Sequence, residues 1–172
     1  MKERGAYYVK REEAEAPENR AYPRVLSFII DLEDSSKTGL PCFGKEATFG
    51  KPLEHHLTGV KIHGDHAHFF PTMNTVGKSA NLTCYCILRT IDMFYVKHGR
   101  FPEVIYIQID GGSENANETV LALCELIVIK RFTKVLHLTR LPPGHTHDDI
   151  DGTSKVQVTL MLSKIRLMIL LY

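Results

Sequence analysis

The chain has 172 residues, 44% of them hydrophobic and 24% charged, which excludes wholesale disorder. A single domain of that size can bury a core without disulfide or metal staples. Lysine and arginine number 21 against 20 acids, a formal charge of +1 with histidine neutral, which excludes a strongly basic nucleic-acid coat or an acidic tail but leaves room for a local basic groove.

Residues 1–22 mix basic and acidic side chains and carry Pro17, with Pro23 just after, so they are expected to form a flexible N-terminal arm or the tail of an upstream element. Residues 23–172 are expected to form the domain. RVLSFIIDL, from Arg24, is a β-branched and aromatic run of strand length that ends in turn-forming residues. HLTGVKIHG and DHAHFFP read as a strand pair with Gly64-Asp65 at the turn. A helix follows within GKSANLTCYCILRTIDMFYVKHGRFP, with Leu82, Cys86, Met93 and Val96 recurring near helical spacing, Gly99 after its end and Pro102 as a stop. EVIYIQID reads as a buried strand broken by Gly111-Gly112. ENANETVLALCELIVIKRF is a second helix with Lys130 and Arg131 at its carboxyl end. TKVLHLTRL is a further strand, LPPG a break, and Thr146 the N-cap of a last helix with acids in its first turn. An antiparallel meander feeding alternating helices and strands predicts an α/β fold, a mixed sheet flanked by helices.

Cys42, Cys84, Cys86 and Cys124 include no CxxC pair, so buried free thiols in a reducing compartment are expected. The N-terminus has no apolar signal region. Residues 156–172 are apolar but contain Lys164 and Arg166 and fall short of the ~20 residues of a membrane span. The expectation is an intracellular chain without a membrane partner.

Carboxylates fall at the ends of elements. Asp31 closes SFIID, Asp110 closes YIQID, and Asp148, Asp149 and Asp151 follow His145 by about one helical turn. Strand alternation puts Tyr106, Gln108 and Asp110 on one face and Ile105, Ile107 and Ile109 on the other. Ionised carboxylates on apolar strands are costly unless paired or metal-bound. If the strands are neighbours their acids converge, and Mg²⁺ or Mn²⁺ is the natural counter-charge for clustered oxygens. Two such ions can activate a water and stabilise the leaving oxygen of a phosphodiester. Each acid also has a plainer reading: Asp110-Gly111-Gly112 as an ordinary turn, and Asp148 and Asp149 as complements to a helix dipole.

These segments resemble a known family. DLEDSSKTGLP, HLTGVKIHG, IDGGSENANE and LPPGHTHDDID look like an uncharacterised eukaryotic, transposon-associated domain family thought to adopt a ribonuclease H-like fold. The resemblance covers about residues 24–152 and falls on Asp31, Asp34, Ser36 and Lys37, on Asp110, Glu114, Asn115 and Asn117, and on Gly144 through Asp151. It implies a DDE-transposase-like or nuclease-like catalytic core that acts on nucleic acid, DNA above all, with two metal ions. Asp31, Asp110 and either Asp149 or Asp151 would hold Mg²⁺ or Mn²⁺, and Asn115 and His145 would orient water or substrate. A transposase-derived chain would be nuclear. After Asp151 the family pattern is lost at Gly152-Thr153-Ser154, which suggests truncation at the C-terminus.

Two other readings compete. A transposase-derived, non-catalytic nucleic-acid-binding or protein-interaction module would draw phosphate contacts from Lys37, Lys45, Lys51, Arg131, Lys134 and Arg140. A zinc hydrolase would use the HTHDD segment of His145 and His147, but Ile150 stands where such a string needs another histidine. The HGDHAH histidines, His63, His66 and His68, are expected to be exposed at the hairpin tip.

Overall fold

The computed structural model describes residues 2–33, 55–73, 79–109 and 117–140. Helices α1 (Lys2–Glu15) and α2 (Pro17–Ala21) precede strand β1 (Val25–Glu33). Then come β2 (His55–Ile62), β3 (Ala67–Met73), α3 (Ala80–His98), β4 (Val104–Ile109), α4 (Glu118–Ile129) and β5 (Val135–Arg140). The strands form one sheet in the order β3-β2-β1-β4-β5. β3, β2 and β1 pair antiparallel, whereas β1, β4 and β5 run parallel. Pro71, which cannot donate to a ladder, lies on the edge strand β3.

Alternation along the strands creates two unlike faces. Phe28, Ile30, Val60, Ile105, Ile107 and Ile109 point to one side and are buried with α3 and α4 residues in a single core. Burying each such side chain stabilises the fold by about 1.5–3 kcal/mol. On α3 the buried face includes Thr83, Cys86, Ile87, Thr90 and Phe94. The sequence stripe through Leu82 and Val96 marks only the rim of that face, and Val96 is exposed. At about 100° per residue the stripe centres near Thr83 and Thr90. Two threonines can sit there because a helix lets a hydroxyl bond its own backbone: Thr90 Oγ1 donates to the Cys86 carbonyl at 2.7 Å.

The opposite face carries Ser27, Tyr106, Gln108, His137 and Thr139, and α1 packs over it. Within the segment expected to be an arm, residues 2–15 and 17–21 are helical, and α1 contacts the sheet through Lys10, Glu13 and Ala14. Ala14 is buried, and a Cβ at Gly64 would lie 3.5 Å from the Ala14 carbonyl oxygen, so the last turn of α1 closes on the β2–β3 hairpin. Asn19 ties the junction together. Its amide nitrogen donates to the Ala14 and Val25 carbonyls at 2.9 Å, and its oxygen accepts from the Arg24 and Val25 amides at 2.8 Å. The hairpin turns as expected at Gly64, φ 78°, where the Asp65 amide donates to the Ile62 carbonyl.

Both long helices after the meander end at one pole. Gly99 closes α3 with φ 67°. At α4 the equivalent left-handed residue is Arg131, φ 60°, and the Phe132 amide reaches back to the Ile127 carbonyl. A side chain in that conformation costs about 1 kcal/mol or more relative to glycine. At the other end of α4, Asn117 is the N-cap, its side chain accepting from the Val120 amide at 3.0 Å. Cys86 and Cys124 are buried free thiols and Cys84 is half-buried; Cys42 lies outside the described residues.

Candidate active site at the carboxyl end of the parallel strands

The parallel ladder of β1 with β4 ends at Ile30 and Ile109, whereas β1 itself runs on past Asp31 to Glu33 along β2. Ile30, the residue before Asp31, is registered on Ile109, the residue before Asp110. Asp31 is half-buried and belongs to the face that carries Ser27, Ile29, Tyr106 and Gln108. Across the antiparallel pair its partner is Gly59, which adds no side chain beside it. The remaining expected site residues, Asp110, Asn115, His145, Asp149 and Asp151, lie outside the described residues, as do Asp34, Ser36, Lys37, Glu114 and the last helix.

Below Asp31 on the same face lies a polar ladder. Gln108 is 1% exposed, and its Oε1 has no hydrogen-bond partner. A buried oxygen of that kind costs free energy unless something meets it. Tyr106, two residues earlier, stacks on His137 with centroids 5.0 Å apart and donates its hydroxyl to Glu13 at 3.0 Å. Lys10 lies 5.5 Å from the Tyr106 ring centroid and 3.5 Å from Thr139 Oγ1, and burial lowers its pKa from the ordinary lysine value. The sequence signal for this ladder was present: Tyr106 and Gln108 interrupt an otherwise apolar strand. Its helical partners Lys10 and Glu13 gave no signal, because α1 reads as a charged arm.

Asp31 supplies carboxylate oxygen and Gln108 an unmatched amide oxygen, the ligand type that Mg²⁺ and Mn²⁺ prefer. Among the described residues no group of three or more His, Cys, Asp or Glu side chains could hold a metal ion. The hairpin histidines do not make one, and the expectation that they are exposed fails for His63. It is buried, its Nδ1 lies 2.8 Å from Ser27 Oγ, and its backbone amide donates to the Ser27 carbonyl at 2.9 Å. Burial, reinforced by Arg11, pushes the His63 pKa down to about 4. His68 is partly buried, and only His66 is fully open to solvent.

An antiparallel meander continued by parallel β4 and β5, with helices on both faces, is the ribonuclease H-like arrangement, and the class of the domain is therefore α/β of that type. The chain belongs to a domain-of-unknown-function family, DUF7869, which matches residues 45–169. No curated protein matches it. Among solved structures it is similar to the Mos1 transposase paired-end complex with left transposon end, at 9% identity and a TM-score of 0.42 over 78% of this chain. It is also similar to the Mos1 strand transfer complex, at 11% identity and a TM-score of 0.36 over 77% of this chain. The chain spans 40% of the length of each of those chains. Among the described residues no helix is long and apolar enough to cross a membrane.

Proposed function

We propose that the domain is a transposase-like or nuclease-like core that acts on nucleic-acid phosphodiesters, DNA above all, at the carboxyl end of β1 and β4. The observation that carries this reading is the β1–β4 register, in which the residues preceding Asp31 and Asp110 are paired neighbours. One further peptide, about 3.8 Å of chain, separates each from its acid. Asp31 and Asp110, with Asp149 or Asp151, would hold Mg²⁺ or Mn²⁺, and the ions would supply an activated water and charge for the leaving oxygen. Asn115 and His145 would orient water or substrate. Gln108, buried with an unmatched oxygen on the face that carries Asp31, would accept a hydrogen bond from a water bound there. A chain with this activity would work in the nucleus.

The test is cleavage of labelled single- and double-stranded DNA by the full chain with Mn²⁺. Asp31→Asn and Asp110→Asn are each expected to lower the rate at least about 100-fold and to weaken Mn²⁺ binding in calorimetry, since each removes a charge from the ion. Cleavage that either variant leaves intact, or a wild-type chain that neither cleaves nor binds Mn²⁺, would refute the reading.

A further inference from the structure

The chain leaves α3 and α4 at the pole from which β1, β4 and β5 set out, at the opposite end of β1 from Asp31. Gly99 is followed there by Arg100 and Phe101, and Arg131 by Phe132. Phe101 meets Phe132 edge to face at 4.9 Å, and Tyr95 stacks on Phe101 at 4.6 Å. Tyr95 is 43% exposed, Phe132 41% and Phe101 37%, so these rings form a surface cluster and not an outgrowth of the core. Arg100 extends the stack onto Tyr22, its guanidinium 3.3 Å from that ring centroid.

The charges at this pole are unbalanced. Lys134 and Arg24 pair with Glu103, and Lys97 pairs with Asp65. Arg100, Lys130 and Arg131 make no ion pair among the described residues. Helix-dipole complementarity explains a lysine at the end of a helix. It does not explain Arg131, whose left-handed backbone favours the glycine that α3 uses at Gly99. Arg131 thus sets a cation at a strained backbone position next to the exposed ring of Phe132.

We propose that this pole binds single-stranded nucleic acid, with bases stacking on Tyr95, Phe101 and Phe132 and phosphates meeting Arg100, Lys130 and Arg131. Stacking platforms joined to unpaired cations are the means by which proteins hold single strands without reading sequence. Duplex DNA fits less well, because its bases are already stacked on one another. A second copy of the chain fits less well too, since a two-fold contact would set the same three cations against themselves. The surface shares no residue with the acid end and does not depend on it.

The test is fluorescence anisotropy of the full chain with a labelled oligothymidylate in EDTA, which reads this pole whether or not the acid end cleaves. Arg131→Gly is expected to weaken binding about three- to tenfold and to reduce the salt slope by about one. The same change should raise the melting temperature by a few degrees, because glycine relieves the backbone. Phe132→Leu keeps apolar bulk but removes the ring, and is expected to weaken binding at least about fivefold with the salt slope unchanged. Unchanged affinity and slope in Arg131→Gly, unchanged affinity in Phe132→Leu, or a wild-type chain that binds the oligonucleotide no better than a duplex of equal length would each overturn the proposal.

Discussion

His63 shows how one side chain can couple stability to pH in this fold. Its imidazole is buried against Ser27 under the last turns of α1, with Arg11 adding repulsion and Glu15 partly opposing it. The folded pKa is about 4, below the unfolded value of 6.5. Between those values the unfolded chain holds the extra proton, so stability rises with pH there. The contribution is fully present above pH ~6.5, declines as pH falls toward 4, and amounts to something on the order of 3 kcal/mol. His68 and His98 are shifted in the same direction by burial and add to the slope. The urea midpoint is therefore expected to fall between pH 7 and pH 5, and His63→Gln should flatten most of that fall. A flat wild-type profile, or an undiminished slope in the variant, would remove His63 from this role. Asn19 acts at the same scale by geometry and not charge. Its side chain satisfies backbone groups of α1 and of the first residues of β1 at once, and alanine leaves those groups without it. Asn19→Ala is expected to cost about 2 kcal/mol in urea unfolding at pH 7, and a cost under about 0.5 kcal/mol would show that water replaces the amide freely.

At the scale of elements, what the sequence reveals and what it hides have separate physical causes. Strands β1 to β5 and helices α3 and α4 stand where their periodicity and punctuation place them, because each has an apolar face or run and a Gly, Pro or Asn at its limits. The order of the elements favours β1 and β4 as neighbours, and their register matches Phe28 to Ile107 and Ile30 to Ile109 on the buried face. α1 escaped because its stability comes from the sheet. Its described residues offer one buried apolar side chain, Ala14, and its other attachments are Lys10, Glu13 and a closing turn against Gly64. No period announces a helix of that kind. His63 escaped for a related reason: the hairpin tip looked solvent-exposed while the helix that covers it was unknown. Asn117 belongs to the segment that resembles a family motif, and its local role is to cap α4. Of the acid site, Asp31 lies inside β1 and not at its end, and Asp110, Asn115, His145, Asp149 and Asp151 lie outside the described residues.

For the molecule as a whole, the sheet divides two regimes of stability. On the α3–α4 side, interlocked apolar chains from β1, β2, β4 and both helices form one core, with Phe70 of β3 and Leu136 and Leu138 of β5 packed against it. On the α1 side, Ile29, Leu57 and Ala14 are buried, but outside that small apolar set the links between helix and sheet are polar and partly exposed, as in the Tyr106–Glu13 hydrogen bond and the long Lys10–Thr139 contact. Apolar burial of the first kind stabilises far more than surface hydrogen bonds of the second. Local opening draws on the weaker regime, so α1 is expected to open as a unit while β1, β4 and α3 stay closed. Native-state hydrogen exchange is expected to show amides of α1 opening at a free energy at least about 2 kcal/mol below those of β4. Because α1 packs on the sheet face to which Asp31 belongs, this opening is expected to expose that face. Asn19→Ala should lower the opening free energy of α1 selectively, since that side chain joins the helix to the start of β1. Equal protection across α1 and β4 would mean that the two faces unfold together and that access to Asp31 is not tied to this helix.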